Sequence, residues 1–255
     1  MSRPLPLQRW KALGYTPNKW AVENVHSRSE TFINGVTARQ VGKTVAGALE
    51  IDAELHREPD EFGVPVVGLN APTYQKCDLM LDKLQEYWSN AYGHDYWTIN
   101  KNDHVIRIPS TGARLHWLSG EQPLSSVGFT FSLLINDESQ GIADTVMDKV
   151  QPATDVREAR WISFGTPDIT PDQTWFKAAY LRGLDTSWPD EHAFRVTAFE
   201  NPWMSLDRLL AVLRRRTDRQ FRMLYMAEWV DEEGGVFRQW DRALLAEAAP
   251  YNRHQ

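Results

Sequence analysis

Thr37-Ala38-Arg39-Gln40-Val41-Gly42-Lys43-Thr44 stands between an apolar run, Thr31 to Val36, and a helical pattern that continues to about Leu55. A strand, a tight turn with glycine and lysine, and then a helix is the arrangement in which backbone N–H groups and a helix N-terminus surround a phosphate. Gly42, Lys43 and Thr44 supply the second half of the GxxxxGK[ST] phosphate-loop pattern, and Thr37 stands where its first glycine would be. In such a loop the lysine places a point charge on the β and γ phosphates of a nucleotide, and the threonine hydroxyl ligates Mg²⁺. The tripeptide alone is a weak signal; its place after a strand and before a helix gives it weight. The expected phosphate-binding residues are Thr37, Ala38, Arg39, Gln40, Val41, Gly42, Lys43, Thr44 and Val45.

Outward from the loop, short apolar runs alternate with helical patterns, which predicts an α/β fold with a mostly parallel sheet flanked by helices. A second strand, Val64 to Leu69, precedes Asn70-Ala71-Pro72-Thr73-Tyr74 and a helix with apolar positions Cys77, Met80, Leu81, Leu84, Tyr87 and Trp88, at 3.6-residue spacing. Residues 96–118 alternate around turn residues 109–112 and predict a hairpin-like pair. Phe129 to Ile135 has the continuous apolar character of a strand covered on both faces, and it runs into Asn136, Asp137 and Glu138. Acidic residues at the end of a buried strand fit what a phosphate loop needs: Asp137 to hold Mg²⁺ and Glu138 as general base for an attacking water. Arg160 to Phe164 is a further strand, ending in Gly165-Thr166-Pro167. The long separation of Lys43 from Asp137, with a strand and a helix between, is the layout of phosphate-loop NTPases of the ASCE class, which insert an extra strand between the two motif strands and keep a catalytic glutamate.

Composition narrows the function classes. Hydrophobic residues at 42% and charged residues at 24% of 255 describe an ordinary globular chain. One cysteine, Cys77, excludes an internal disulfide and fits a reducing compartment. The seven histidines are scattered without metal-ligand spacing. No apolar stretch approaches the roughly 20 residues that span a bilayer, and the first ten residues hold no signal-peptide core, so no membrane role is expected. A net charge of -6 argues against a surface that coats nucleic acid all over, while leaving room for a local basic groove.

These motifs together resemble the ATPase domain of the large terminase subunit, the DNA-packaging motor of tailed bacteriophages. Residues 37–44 are similar to the deviant phosphate loop of those motors, which has ArgGln before the GlyLys and lacks the first glycine. Residues 70–74 resemble the AlaProThrTyr after their second strand, and Leu133 to Ser139 resembles their aspartate-glutamate strand end. Residues 163–167 resemble their coupling motif, and 227–237 the stretch that closes the domain; the likeness runs from about Tyr15 to Phe237. The resemblance implies ATP and Mg²⁺ as ligands, Lys43, Arg39 and Glu138 as catalytic residues, Thr44 and Asp137 on the metal, and Thr166 linking hydrolysis to movement. Relatives carry an adenine-reading glutamine after a TyrxPro element; here Asn18, Lys19, Trp20 and Ala21 follow Tyr15 and Pro17, which leaves Tyr15 or Trp20 to stack on the base. Some relatives place a trans-acting arginine where this chain has Val127, so Arg107, Arg114, Arg157 and Arg160 are the unranked alternatives.

The expected organisation is an ATPase core over 1–200, a helical lid over 201–240, and, over 241–255, the start of a linker to a nuclease domain that the chain does not hold. In the lid, Arg208, Arg215, Arg219 and Arg222 fall on one helical face by their spacing of seven, four and three, as a DNA or subunit contact or simply a solvated face. Lys101, His104 and Arg107 are a rival DNA contact. The implied function is ATP hydrolysis that drives double-stranded DNA into a viral procapsid, without nuclease activity. Implied partners are DNA, the portal protein, the small terminase subunit and further copies in a ring on the procapsid, with a monomer in solution as the alternative state, all in the host cytoplasm. A helicase-like remodelling ATPase and a nucleotide-binding scaffold without turnover are the competing readings.

Overall fold

The computed structural model describes residues 4–120, 128–167 and 174–230. Val127, the linker at 241–255 and the last part of the expected lid lie outside the described residues. Eight strands form one sheet: β1 Phe32–Thr37, β2 Val66–Ala71, β3 Thr98–Asn100, β4 Val105–Arg107, β5 Arg114–Ser119, β6 Leu133–Asn136, β7 Arg160–Gly165 and β8 Glu191–Val196. Their spatial order is β3-β4-β5-β2-β6-β7-β1-β8. The six strands from β5 to β8 are parallel, and β3 and β4 run antiparallel at one edge. Strand β7 therefore lies between β1 and β6, the extra-strand layout that the motif spacing predicts.

Helices cover both faces of the sheet: α1 Leu7–Leu13, α2 Lys19–Ala21 with a π-helical turn Val22–His26, α3 Lys43–Leu55, α4 Tyr74–Tyr92, α5 Asp144–Val150, α6 Pro152–Asp155, α7 Trp175–Leu184, α8 Leu206–Leu213 and α9 Asp218–Met226. Helix α3 is buried on nearly all sides, between the sheet, α4 and the N-terminal helices, so its carboxylates need partners. Glu50 is bound by His26 and Arg160, Asp52 by Arg9 and the Trp88 indole, and Glu54 by Arg57. Helix α4 buries Cys77, Met80, Leu81, Leu84 and Trp88, the face that the periodicity predicts, with Tyr87 half-buried. Burial pushes the Cys77 thiol well above its ordinary range, and it donates to the Leu118 carbonyl, so it behaves as a small core residue.

Some sequence expectations shift. The expected pair over 96–118 is three strands, because the short, exposed β3 around Ile99 pairs antiparallel with β4 as a strand of its own. The apolar run from Phe129 becomes strand only at Leu133; Phe131 belongs to a buried lead-in that packs on Gly68. Strand β8, at the sheet edge, has no counterpart in the sequence reading. The arginine stripe breaks into pieces: Ser205 and Thr217 each cap a new helix by accepting from Arg208 N and Gln220 N, so 206–226 is two helices joined by a turn. Leu209, Phe221 and Met223 are the buried residues of that pair. His104 leaves the proposed basic patch, since its ring stacks on Tyr74 at 3.9 Å.

Candidate active site

All six parallel strands end on the same side of the sheet, and the motif residues gather there. Strand β1 delivers the loop 37–44 into the N-terminus of α3, with Gly42 at φ 97° and Gln40 at φ 61°. Gly42 meets this left-handed requirement without a Cβ. The loop's carbonyl groups are held from outside. The Val41 carbonyl accepts from Trp20 Nε1 at 3.0 Å and from Asn18 Nδ2 at 3.3 Å, and the Gln40 carbonyl accepts from Asn201 Nδ2 at 2.8 Å. In a planar trans peptide the N–H points opposite to the carbonyl, so these bonds turn the Val41 and Gly42 N–H groups away from the supporting side chains. Ala38 N–H donates to Val196, and Arg39 N–H donates to Leu224 of α9, which ties the loop to the C-terminal helices. The Arg39 side chain is exposed.

Lys43 is buried, and its ammonium lies 2.8 Å from Glu138 Oε1 and donates to Thr166 Oγ1 at 3.4 Å. Lys43, Glu138 and Thr166, from three separate segments, thus meet. Asp137 is 3% exposed, and its carboxylate accepts from the Glu138 N–H at 3.0 Å. Glu138 itself takes a left-handed conformation, φ 51°, which a residue with a Cβ adopts only when its surroundings hold it there. The electrostatics divide the two neighbours. Burial pushes Asp137 up to about 6, with Lys43 opposing and Glu138 adding to the shift. Burial acts the same way on Glu138, but the charge and hydrogen bond of Lys43, with a hydrogen bond from Gln140, outweigh it and hold the carboxyl below its ordinary range. One carboxylate is poised to take a positive charge and the other is kept ionised.

A nucleotide phosphate fits this arrangement. A buried ammonium needs an anion, and with Glu138 serving as that anion, an arriving phosphate can replace it. Oxygen donors at Thr44 and Asp137 suit a hard cation such as Mg²⁺, which is bound by one or two protein oxygens together with phosphate and water. The raised carboxyl makes Asp137 testable. An acid whose folded value lies above its ordinary 3.8 contributes stability that is present in full below that value and is lost as pH rises through about 6. Above that window the folded chain carries a buried charge. Asp137→Asn removes it, and is expected to raise the unfolding free energy of the nucleotide-free chain at pH 7.5 by about 2–3 kcal/mol. The gain should shrink toward pH 4, while Mg²⁺-dependent turnover is lost; urea unfolding at both pH values, beside a hydrolysis assay, checks this.

Other expected residues stand elsewhere. Tyr15 is buried among Trp10, His26 and Tyr87, and its hydroxyl bonds His26. Trp20 is 4% exposed and stacks on Phe194 while supporting Val41. Neither ring offers an open face to a base. Arg157 is committed to Asp60 and the carbonyls of Gly63 and Val64, and Arg160 to Glu50 and the carbonyls of Val25 and Arg28, so neither is free to enter a neighbour's site. Arg107 and Arg114 are exposed cross-strand neighbours at the opposite end of the sheet from the loop. Three contributors escaped the sequence reading: Asn18, Asn201 and Gln140. Asn201 precedes Pro202 in a turn where its Oδ1 accepts from Trp203 N–H, which aims its Nδ2 at the loop. The local signal is an asparagine opening a Pro-containing turn.

Comparison with known proteins gives one consistent answer. A family model described as terminase large subunit, T4likevirus-type, N-terminal, matches residues 34–243. The large terminase subunit of Escherichia phage T5 is 25% identical over 232 residues, 88% of this chain and 50% of its own length. The chain spans about half the length of the curated relatives that it matches. Among solved structures, the large terminase ATPase domain of Thermus phage P74-26 superposes with a TM-score of 0.75 at 20% identity, covering 89% of this chain and 100% of that one. The large terminase of another thermophilic bacteriophage, in complex with ATP-γ-S, has a TM-score of 0.62 at 16% identity, over 89% of this chain and 53% of that one.

Proposed function

Because the chain belongs to the terminase large-subunit family, we propose that it is the motor portion of such a subunit and hydrolyses ATP to move double-stranded DNA into a viral procapsid. The observation that carries this reading is the meeting of Lys43, Glu138 and Thr166, with Asp137 buried beside them, at the ends of the parallel strands. The Val41 and Gly42 amides, with the following N–H groups at the start of α3 and the Lys43 ammonium, bind the β and γ phosphates, and the exposed Arg39 side chain reaches the γ-phosphate; the Ala38 and Arg39 amides, bound to Val196 and Leu224, hold the loop instead. A magnesium ion held by Thr44 and Asp137 would supply further positive charge to those phosphates. Once Lys43 turns to phosphate, Oε1 of Glu138 is released while Oε2 stays with Gln140, and Oε1 accepts a proton from water as the water oxygen attacks phosphorus in line and the bond to the β-phosphate oxygen breaks. Hydrolysis yields ADP and inorganic phosphate, and the proton rests on Glu138 until solvent takes it.

The contact of Thr166 with Lys43 and the bond from Arg39 to α9 support a motor cycle in which the phosphate site is felt by the β7 end and by the C-terminal helices. Residues 201–240 are proposed as the lid. The portal protein, the small terminase subunit and further copies in a ring are the proposed partners, in the host cytoplasm; among the described residues no helix is long and apolar enough to cross a membrane. The test is Mg²⁺-dependent ATP turnover by the purified chain, alone and with procapsids, duplex DNA or free single strands. Stimulation by procapsids and duplex is expected. Stimulation by single strands alone points to a helicase-like enzyme, and binding without turnover under all conditions points to a scaffold; either overturns the packaging reading.

A further inference from the structure

We propose that Gln140 is a positioning residue that ties the Glu138 carboxylate to Thr166 just beyond β7, so that the general base and the end of β7 move together. The proposal rests on the hydrolase reading above. Gln140 Nε2 donates to Glu138 Oε2 at 2.7 Å, and Gln140 Oε1 accepts from the Thr166 N–H at 3.1 Å. A primary amide offers a donor and an acceptor at the two ends of one plane, so a single side chain serves both contacts. A glutamate in its place would keep the acceptor and set a second carboxylate against Glu138. The sheet is built to admit this amide. A Cβ on Gly165 would stand 2.8 Å from Gln140 Oε1 and 2.4 Å from Phe176, so bare backbone is needed where the amide lies.

Lys43 closes the circuit, with its ammonium on Glu138 Oε1 and on Thr166 Oγ1. The two oxygens of Glu138 are thereby divided: one belongs to the phosphate-binding lysine and the other to Gln140. When phosphate draws Lys43 away, Glu138 remains held through Oε2, and its swing toward water is transmitted by a rigid amide to the Thr166 N–H. The same short segment also grips the start of α7. The Trp175 indole N–H donates to the Ile142 carbonyl at 2.8 Å, and the Trp175 backbone N–H donates to Asp144 Oδ1 at 3.0 Å. Residues 138–144 thus hold both Thr166, just beyond β7, and the first turn of α7. Gln140 sits on the short 3-10 turn Ser139–Gly141, which places it next to the base without a long lever.

The experiment pairs kinetics with crystallography on Gln140→Ala, Gln140→Glu and Glu138→Gln. Gln140→Ala is expected to lower kcat by about 10²-fold, the size of effect that a misplacement near 1 Å produces, with KM and ADP affinity within a few-fold of the unaltered chain. Gln140→Glu, which keeps the shape, should lose turnover as well, and Gln140→Ala should cost nothing further in a Glu138→Gln background. Crystals of the nucleotide-free Gln140→Ala chain should show the Glu138 carboxylate and the Thr166 turn displaced from their positions in the unaltered chain. A normal kcat, additive losses, or an unmoved carboxylate would overturn the proposal. If the unaltered chain fails to turn over ATP, the hydrolase reading falls, and the crystal comparison alone decides whether Gln140 positions Glu138.

Discussion

Glu138→Gln is expected to leave nucleotide bound and to stop its hydrolysis. The substitution keeps the size of the side chain and removes its proton-accepting charge, so the loss falls on the chemical step and lowers kcat by about 10²–10⁴-fold. Binding should follow the opposite course. In the nucleotide-free chain Lys43 is paired with Glu138, and phosphate must displace that carboxylate before it can take the lysine. A neutral amide at 138 lets the ammonium go more readily, so ADP and ATP-γ-S should bind at least as tightly as to the unaltered chain. Single-turnover hydrolysis beside a fluorescent-nucleotide titration separates the two effects. Turnover at the unaltered rate would remove Glu138 from the role of base, and a parallel loss of affinity would make it a binding residue.

Lys43→Ala is expected to fail earlier, at binding. The lysine is the cation of the nucleotide-free site, buried between Glu138 and Thr166 with Asp137 behind them. Removing it takes a positive charge from the phosphates and leaves two carboxylates facing the incoming anion. A preorganised charged donor in such a site is worth about 3–4 kcal/mol, so affinity for ADP should fall by roughly 10²–10³-fold and turnover should become undetectable. Lys43→Arg is not expected to rescue it, because a planar guanidinium is wider than an ammonium and cannot place one point charge in a space closed by a carboxylate and a hydroxyl. The contrast between the variants is diagnostic: Glu138→Gln retains nucleotide and Lys43→Ala does not. Equal affinities in the two would contradict the division of labour between them.

Much of the fold was legible because its signals are local. A strand, the segment 37–44 and a helix follow one another without interruption, and the apolar run before Asp137 is long enough to read as a buried strand. The long separation of Lys43 from Asp137 predicts an extra strand between β1 and β6, and the fold puts β7 there. What local pattern misjudged was whatever depends on burial from a distance. Tyr15 and Trp20 look like free aromatic platforms in the sequence, yet each is covered by side chains far along the chain: Tyr87 beside Tyr15, and Phe194 beside Trp20. Arg157 and Arg160 read as available cations until Asp60 and Glu50 claim them. The arginines of 208–222 share a face only on one continuous helix, and two capping hydroxyls end that continuity.

By itself, then, the sequence determined the chemistry on offer: a phosphate loop, two acids at a strand end, and a threonine turn, each coded by residues within a few positions of one another. Only the tertiary structure decided how these groups are apportioned. That Lys43 rests on Glu138, that Asp137 is the acid driven up by burial, and that Gln140 joins Glu138 to Thr166 are matters of a few ångströms between segments roughly 30 to 120 residues apart in the chain. Covalent neighbours announce a motif because backbone geometry couples them directly. Partners across a sheet are set by packing, which no single stretch of sequence records.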